Sequence, residues 1–259
     1  MALLRVVSYN IHKGKSVSGR DSLADLRLGL HGLRPDLLFL QEVQGRNEKN
    51  NGLHAQHESL AAALQMQVAY GRNAIRSRTD HGNALLSQHP IVDYENQDIS
   101  DHVMEQRGLL HGVIDISGIK VHCFVVHLGL FAASRVRQIQ LIADRIRRMV
   151  PEQAPILIAG DFNDWNDKLA PLFVEQLGVY EVFAHAPNKT ETILRLRDLA
   201  QGEYQPEPPP RTFPAAFPFF RLDRIYQRGF AVRSAKVLKG KPWTQLSDHA
   251  PIIAELELP

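Results

Sequence analysis

The sequence predicts a single α/β domain built on mixed β-sheets, and three observations carry that prediction. Short apolar runs of strand length recur along the whole chain, and such runs read as strands buried on both faces. Helical periodicity separates some of these runs and short turns separate others, so parallel and antiparallel pairs both have to occur. The one stretch that could pass for a linker, residues 203–221 with six prolines, leaves only about forty residues behind it, too few for a second domain.

Residues 3–9, LLRVVSY, read as the first buried strand. Leu23, Leu26, Leu30 and Leu33 stand at helical spacing and predict a helix over 20–33. The run Leu37–Leu40 after Pro35 reads as a second strand ending in Gln41-Glu42. A short helix over 56–64 and strands near 66–70, 83–87, 109–116 and 119–128 follow. The strongest helical pattern covers 134–150, where Val136, Ile139, Ile142, Ile146 and Met149 make one apolar face. Ser134 is the predicted N-cap and Pro151 the stop. PILIAG at 155–160 is another buried strand, and the last strands fall at 222–226, 230–238 and 251–258. Phe213, Phe217, Phe219 and Phe220, interleaved with prolines, are expected to pack in the core.

Composition narrows the class. The 259 residues are 44% hydrophobic and 22% charged, an ordinary globular balance with room for a large core. A single cysteine, Cys123 in the apolar run VHCFVVHL, excludes an internal disulfide and reads as a buried thiol. The start MALLRVVSYN turns polar too soon for a signal peptide, and no apolar run approaches the roughly 18 residues that span a bilayer. These features read as a cytoplasmic protein without a membrane span. The net charge of +2 permits an anionic substrate but lacks the excess of a nucleic-acid coat. Arginines 135, 137, 145, 147 and 148 are expected on a solvated helix face, and His54 and His57 in solvent. GKS at 14–16 is no P-loop, because Tyr9 stands where its first glycine belongs.

The polar residues of interest gather at strand ends. Asn10 follows RVVSY, Glu42 follows LLFLQ, His127 follows CFVV, Asp161 and Asn163 follow ILIAG, and Asp248-His249 precede the final strand. In α/β proteins, sites form where loops from several strand ends converge. These residue types suit phosphate-ester hydrolysis. A hard divalent cation is held by carboxylates and an amide oxygen, and Glu42, Asp248 and Asn10 offer that set. Asp161 can act as base toward water, and Asn163 can orient that water or donate to a phosphoryl oxygen. His127 and His249 can donate to the non-bridging oxygens, with Asp223 holding the His249 imidazole.

The blocks SYNIH, LQEV, GNALLS, VHL, GDFN, LDRIY and SDHAP, in that order, resemble the endonuclease/exonuclease/phosphatase superfamily. Its members include deoxyribonuclease I, exonuclease III-type repair enzymes, neutral sphingomyelinases, inositol polyphosphate phosphatases and deadenylases. The resemblance implies a four-layer α/β sandwich, with two mixed β-sheets face to face and helices outside, and a Mg²⁺ or Mn²⁺ cofactor. It implies metal-end positions for Asn10, Glu42 and Asp248, and water-activating and transition-state positions for Asp161 and Asn163. Asp223 matches the acid paired with the final histidine, His249. Arg107, Thr212 and Asn83 are further candidates for substrate contact. The block VHLGL and the presence of His12, where repair enzymes tend to carry an acid, point away from an abasic-site endonuclease. Nucleic acid, a phospholipid headgroup and a small phosphate ester are the expected substrate classes.

Overall fold

The computed structural model describes residues 2–48, 55–166, 168–185 and 210–258. Sheet one runs β11 (Ala231–Val237), β12 (Ile252–Leu258), β1 (Ala2–Asn10), β2 (Leu37–Asn47), β4 (Thr79–Ser87) and β3 (Gln67–Ile75) in spatial order. Sheet two runs β5 (Ile91–Asp98), β6 (Gly108–Ile116), β7 (Ile119–His127), β8 (Ile156–Asp161), β10 (Asp223–Arg228) and β9 (Tyr180–Glu181). The pairs β1–β2 and β7–β8 are parallel and the others antiparallel, so both sheets are mixed.

Alternation along each strand divides its side chains between two cores. In β1, Leu4 and Val6 enter the core between the sheets, while Val7 and Tyr9 pack outward against α1 (Leu23–Leu33) and α2 (Gln56–Leu64). In β7 and β8, Val121, Cys123, Val125, Leu157 and Ala159 join the inter-sheet core. Phe124, Val126, Ile156 and Ile158 pack outward with α3 (Ala132–Met149) and α4 (Ala170–Leu177). The result is the four-layer α/β sandwich: helices, sheet, sheet, helices. The same parity aims Asn10, His127, Asp161 and Asp223 toward the inter-sheet side, because each is an even step from an inter-sheet residue of its own strand. No helix among the described residues is long and apolar enough to cross a membrane.

Several expectations are corrected. The second strand does not end at Gln41-Glu42 but runs on to Asn47, and its register shifts between Leu40 and Val43. Glu42 sits in that bulge with φ 55°. Leu38, Leu40 and Val43 all face the outer core, so the bulge re-aims Glu42, as bulges beside sites commonly do. The strand β5 has no counterpart in the sequence reading. Ser134 does not cap α3: it lies inside the helix and its Oγ donates to Asp101 Oδ2 at 2.6 Å. On that helix Ile139, Ile142 and Ile146 are buried, whereas Val136 and Met149 are exposed. Two of the helix arginines, Arg135 and Arg145, are buried instead of solvated. Arg135 Nη1 donates to the carbonyls of Gly129 and Leu130, and Arg145 Nη2 pairs with Glu95 at 2.8 Å. His57 is half-buried, stacked on Tyr70 at 4.0 Å. Phe217, Phe219 and Phe220 are exposed, not core residues, because the 210–221 loop folds back on itself through Phe213 and Phe220. Cys123 is buried, as expected. His54 and residues 203–209 lie outside the described residues.

Candidate active site

Register places three candidate residues side by side at one rim of sheet two. His127 is opposite Asp161 across the parallel pair, and Asp223 is opposite Asp161 across the antiparallel one. The Asp161 carboxylate is the common neighbour. Its Oδ1 accepts the backbone N–H of Asn163 at 3.0 Å, and its Oδ2 accepts Asn10 Nδ2 from sheet one at 3.1 Å. His127 Nε2 and His249 Nε2 approach the same Oδ2 at 3.5 and 3.6 Å. His249 Nδ1 donates to Asp223 Oδ2 at 2.9 Å. Asn163 takes a left-handed φ of 48° and donates through Nδ2 to the Leu128 carbonyl at 2.9 Å; an amide nitrogen retains a second hydrogen for a ligand.

Burial and neighbours push these groups apart in charge. Burial lifts the Asp161 carboxyl well above the usual carboxylate range, against the pull of His249. Burial works against a charge on His249, but the carboxylates of Asp223 and Asp161 outweigh it and raise the imidazole to about 10. Burial, reinforced by the Arg107 guanidinium, pushes His127 well below its ordinary value. Two imidazoles on one carboxylate oxygen are therefore in opposite states near neutrality, one a cation and one neutral. Divergent titration of neighbouring groups is how one site divides acid and base work.

The rim of sheet one supplies oxygen donors. Asn10 pairs with Gln41 across β1 and β2, which puts Glu42 just beyond it. Asn10 Oδ1 accepts the N–H of His12, and Ser247 Oγ donates to the Asn10 carbonyl. Glu42 Oε2 accepts Lys13 Nζ at 2.8 Å. Burial opposes ionisation of Glu42, but neighbouring positive groups hold it down at about 2. Those groups are the His127 imidazole first, then the Lys13 ammonium and His12. Asp248 Oδ1 lies 3.4 Å from His12 Nδ1. Both carboxylates thus already draw positive or donor groups, and with Asn10 they supply oxygen donors of the kind a hard divalent cation takes. A second group, Asp161, Asp223 and His249, brings its ligand atoms within 4.8 Å of one another. In it the His249 Nδ1–Asp223 Oδ2 hydrogen bond at 2.9 Å would compete with coordination of an ion.

The model of the Endonuclease/Exonuclease/phosphatase family matches residues 7–249. The chain belongs to this family. It is 37% identical over 264 residues to the uncharacterized protein YbhP of Escherichia coli K12, covering 98% of this chain and 96% of that one. Solved family structures share the fold at lower identity. The endonuclease/exonuclease/phosphatase of Bacteroides vulgatus superposes with a TM-score of 0.75 at 17% identity, covering 100% of both chains. A humanized zebrafish (D. rerio) TDP2 gives 0.70 at 20%, covering 98% of this chain and 99% of that one. The mannosyl-6-phosphatase Bt3783 of Bacteroides thetaiotaomicron gives 0.69 at 18%, with the same coverage.

In this member of the endonuclease/exonuclease/phosphatase family, the remaining candidates divide. Arg107 is mostly buried, tied to Glu105 Oε1 at 2.9 Å, and its charge reaches His127 and His81. It is both an ion pair and a cation beside the site. Thr212, expected as a substrate contact, is instead fully buried: its Oγ1 accepts the Asp223 N–H at 3.3 Å, so it positions Asp223. Asn83 is corrected likewise. Its Nδ2 spends itself on the carbonyls of Gly108 and Val125 in the opposite sheet, leaving only an acceptor oxygen that a phosphate does not want. Asp164 of the GDFND stretch serves the chain turn, accepting the N–H groups of Lys168 and Leu169; Asp167 lies outside the described residues. Sequence reasoning missed the aromatic wall. The Phe213 ring lies 4.8 Å from His249, and Trp165 meets Phe220 and Phe213 edge-on at 4.9 and 6.0 Å. It also missed Gln138, whose side chain ties Gly129 to Ile99 and steadies the loop after His127. No spacing rule marks these residues, because their roles depend on which loops meet.

Proposed function

We propose that the chain is a divalent-metal-dependent hydrolase of phosphate esters in which Asp161 deprotonates the water that attacks phosphorus. The observation that supports this best is the single buried Asp161 oxygen approached by two imidazoles, His127 at 3.5 Å and His249 at 3.6 Å. A carboxyl lifted by burial is a better base than a free one, and Asp161 takes the proton. The His249 cation, braced by Asp223, offsets charge that builds on the phosphoryl oxygens. His127 and Asn163 add hydrogen bonds to the same group. A Mg²⁺ or Mn²⁺ ion held by Glu42, Asp248 and Asn10 supplies Lewis-acid stabilisation of a phosphoryl or leaving oxygen when bound.

The family's members are phosphoester hydrolases, and the printed names of two fold neighbours fit that chemistry. The aromatic wall narrows the substrate. Phe213 stands beside His249, Trp165 packs against Phe213 and Phe220, and Phe217 and Phe219, at 75% and 64% exposure, belong to the same loop. Stacking on such rings suits a nucleotide base, and their apolar faces suit a lipid chain. A phosphodiester with a ring or apolar arm is therefore the favoured class over a plain sugar phosphate.

A substrate panel tests this reading: single-stranded DNA, RNA, abasic duplex, sphingomyelin, bis-p-nitrophenyl phosphate and a sugar monophosphate, each with Mg²⁺, Mn²⁺ or EDTA. Metal-dependent turnover of at least one diester, abolished by EDTA and restored by added metal, is expected. A panel blank with every metal, or hydrolysis indifferent to EDTA, contradicts it.

A further inference from the structure

Two loops beside the site carry apolar side chains into solvent for no reason the fold supplies. Val103 and Met104 are 93% and 95% exposed, and Leu130 and Phe131 are 53% and 62% exposed. Side chains left in water to this degree add little to folding. Yet the turn that presents them is held in place. The Glu105 N–H donates to the His102 carbonyl at 3.2 Å. The Glu105 carboxylate accepts the Leu130 N–H at 3.0 Å and Arg107 Nη2 at 2.9 Å. The His102 ring packs on Phe131 at 5.6 Å. The two loops thus hold four apolar side chains together.

This patch and the aromatic loop flank the same stretch of chain. Asn163 Nδ2 donates to the Leu128 carbonyl, just after His127. Two residues on, Trp165 packs against Phe213 and Phe220, on the loop that also carries the exposed Phe217 and Phe219. Apolar side chains gathered this way around a site mark an interaction surface.

Charge and side-chain type say what covers it. Residues 128–137 and 210–221 contain Arg135, Arg137, Arg211 and Arg221 and no acid. Asp101 and Glu105, the acids of the neighbouring turn, are engaged by Arg137 and Arg107. Apolar tips in a cationic setting suit an anionic lipid surface. A nucleic-acid strand fits less well, because bases stack on ring faces and Val103, Met104 and Leu130 have none. A second copy of the chain would set the same arginines against one another.

We infer that this rim docks on the surface of an anionic phospholipid bilayer, with Val103, Met104, Leu130 and Phe131 entering the headgroup layer on one side of the site and Phe217 and Phe219 on the other. The inference rests on the hydrolytic reading for a reaction at this rim, and it makes a phosphodiester held at a bilayer the substrate class.

The test reads binding, so it stands apart from turnover. The full chain is sedimented with vesicles of phosphatidylcholine alone and of phosphatidylcholine mixed equally with phosphatidylglycerol. Binding is expected to the mixed vesicles, and added salt weakens it. Val103→Asp combined with Met104→Asp is expected to weaken that binding by about tenfold or more, and Phe217→Asp by a similar factor. Leu28→Asp, at a position as exposed as Phe217 but on α1, leaves it unchanged. All of these side chains are exposed, so the variants keep the fold, which circular dichroism checks. No sedimentation with the mixed vesicles at low salt, or equal binding by the Val103/Met104 variant and by Leu28→Asp, overturns the inference. So does tight binding of single-stranded DNA, or a concentration-dependent dimer, that is lost on the same substitutions, because each names another occupant. If vesicles bind but the substrate panel stays blank with every metal, the hydrolytic reading falls and the docking surface stands. If turnover appears without vesicle binding, only this inference falls.

Discussion

Asp161→Asn is expected to lower turnover by about 10²–10⁴-fold, the range over which a positioned general base contributes, while leaving metal affinity intact. The substitution is nearly isosteric and removes a buried charge, which favours the fold. Asn10 and the two imidazoles lose the oxygen they share. The new amide can keep the Asn163 N–H bond through its oxygen, but its nitrogen then faces Asn10 Nδ2, which now donates to Asp161 Oδ2. Two donors in contact cost about 1–3 kcal/mol, less than the stability of a typical domain of this size. The variant should therefore fold with near-native circular dichroism, bind metal by calorimetry and turn over almost nothing. Unchanged turnover in folded, metal-binding protein contradicts the role of Asp161 as base.

The second large effect is Asp223→Asn. Asp223 Oδ2 accepts His249 Nδ1–H at 2.9 Å, and Asp223 is itself anchored through its N–H to the buried Thr212. An asparagine there presents either a neutral oxygen, which no longer offsets the imidazolium, or an NH₂ group, which turns the ring or forces the other tautomer. In both cases the donor facing the phosphoryl group weakens, and a loss of about 10²–10⁴ in kcat is expected with little change in metal binding. No hydrogen bond or ion pair among the described residues joins Asp161 or His249 to Glu42, so a fall in metal affinity of the same size as the fall in kcat would show that Asp223 belongs to the cation site instead.

Much of this arrangement was legible in the sequence because buried parallel strands cannot disguise themselves. Both faces of β1, β7 and β8 are covered, so their residues form unbroken apolar runs, and a polar residue at the end of such a run stands out. That is how Asn10, His127 and Asp161 could be named before their spacing was known. What escaped depends on partners far along the chain. The strand β5 is an exposed edge reading IVDYENQD and carries no apolar pattern. The bulge at Glu42 follows from how β2 pairs with β4, and alternation alone would have aimed the residue into the outer core. Arg135 and Arg145 look like surface cations on a helical wheel; loop carbonyls and Glu95 bury them. Thr212 and Asn83 show the opposite error. Both sit in stretches that border the site, yet their hydrogen bonds are spent on holding Asp223 and on joining the two sheets.

The most direct measurement of the central claim is anomalous scattering from crystals soaked with Mn²⁺ and an inert phosphate-ester analogue. The account predicts an ion bonded to Glu42 and Asp248, with the phosphoryl group seated between His127 and His249 and against Asp161. An ion centred on Asp161, Asp223 and His249, or a phosphoryl group bound away from both imidazoles, contradicts it.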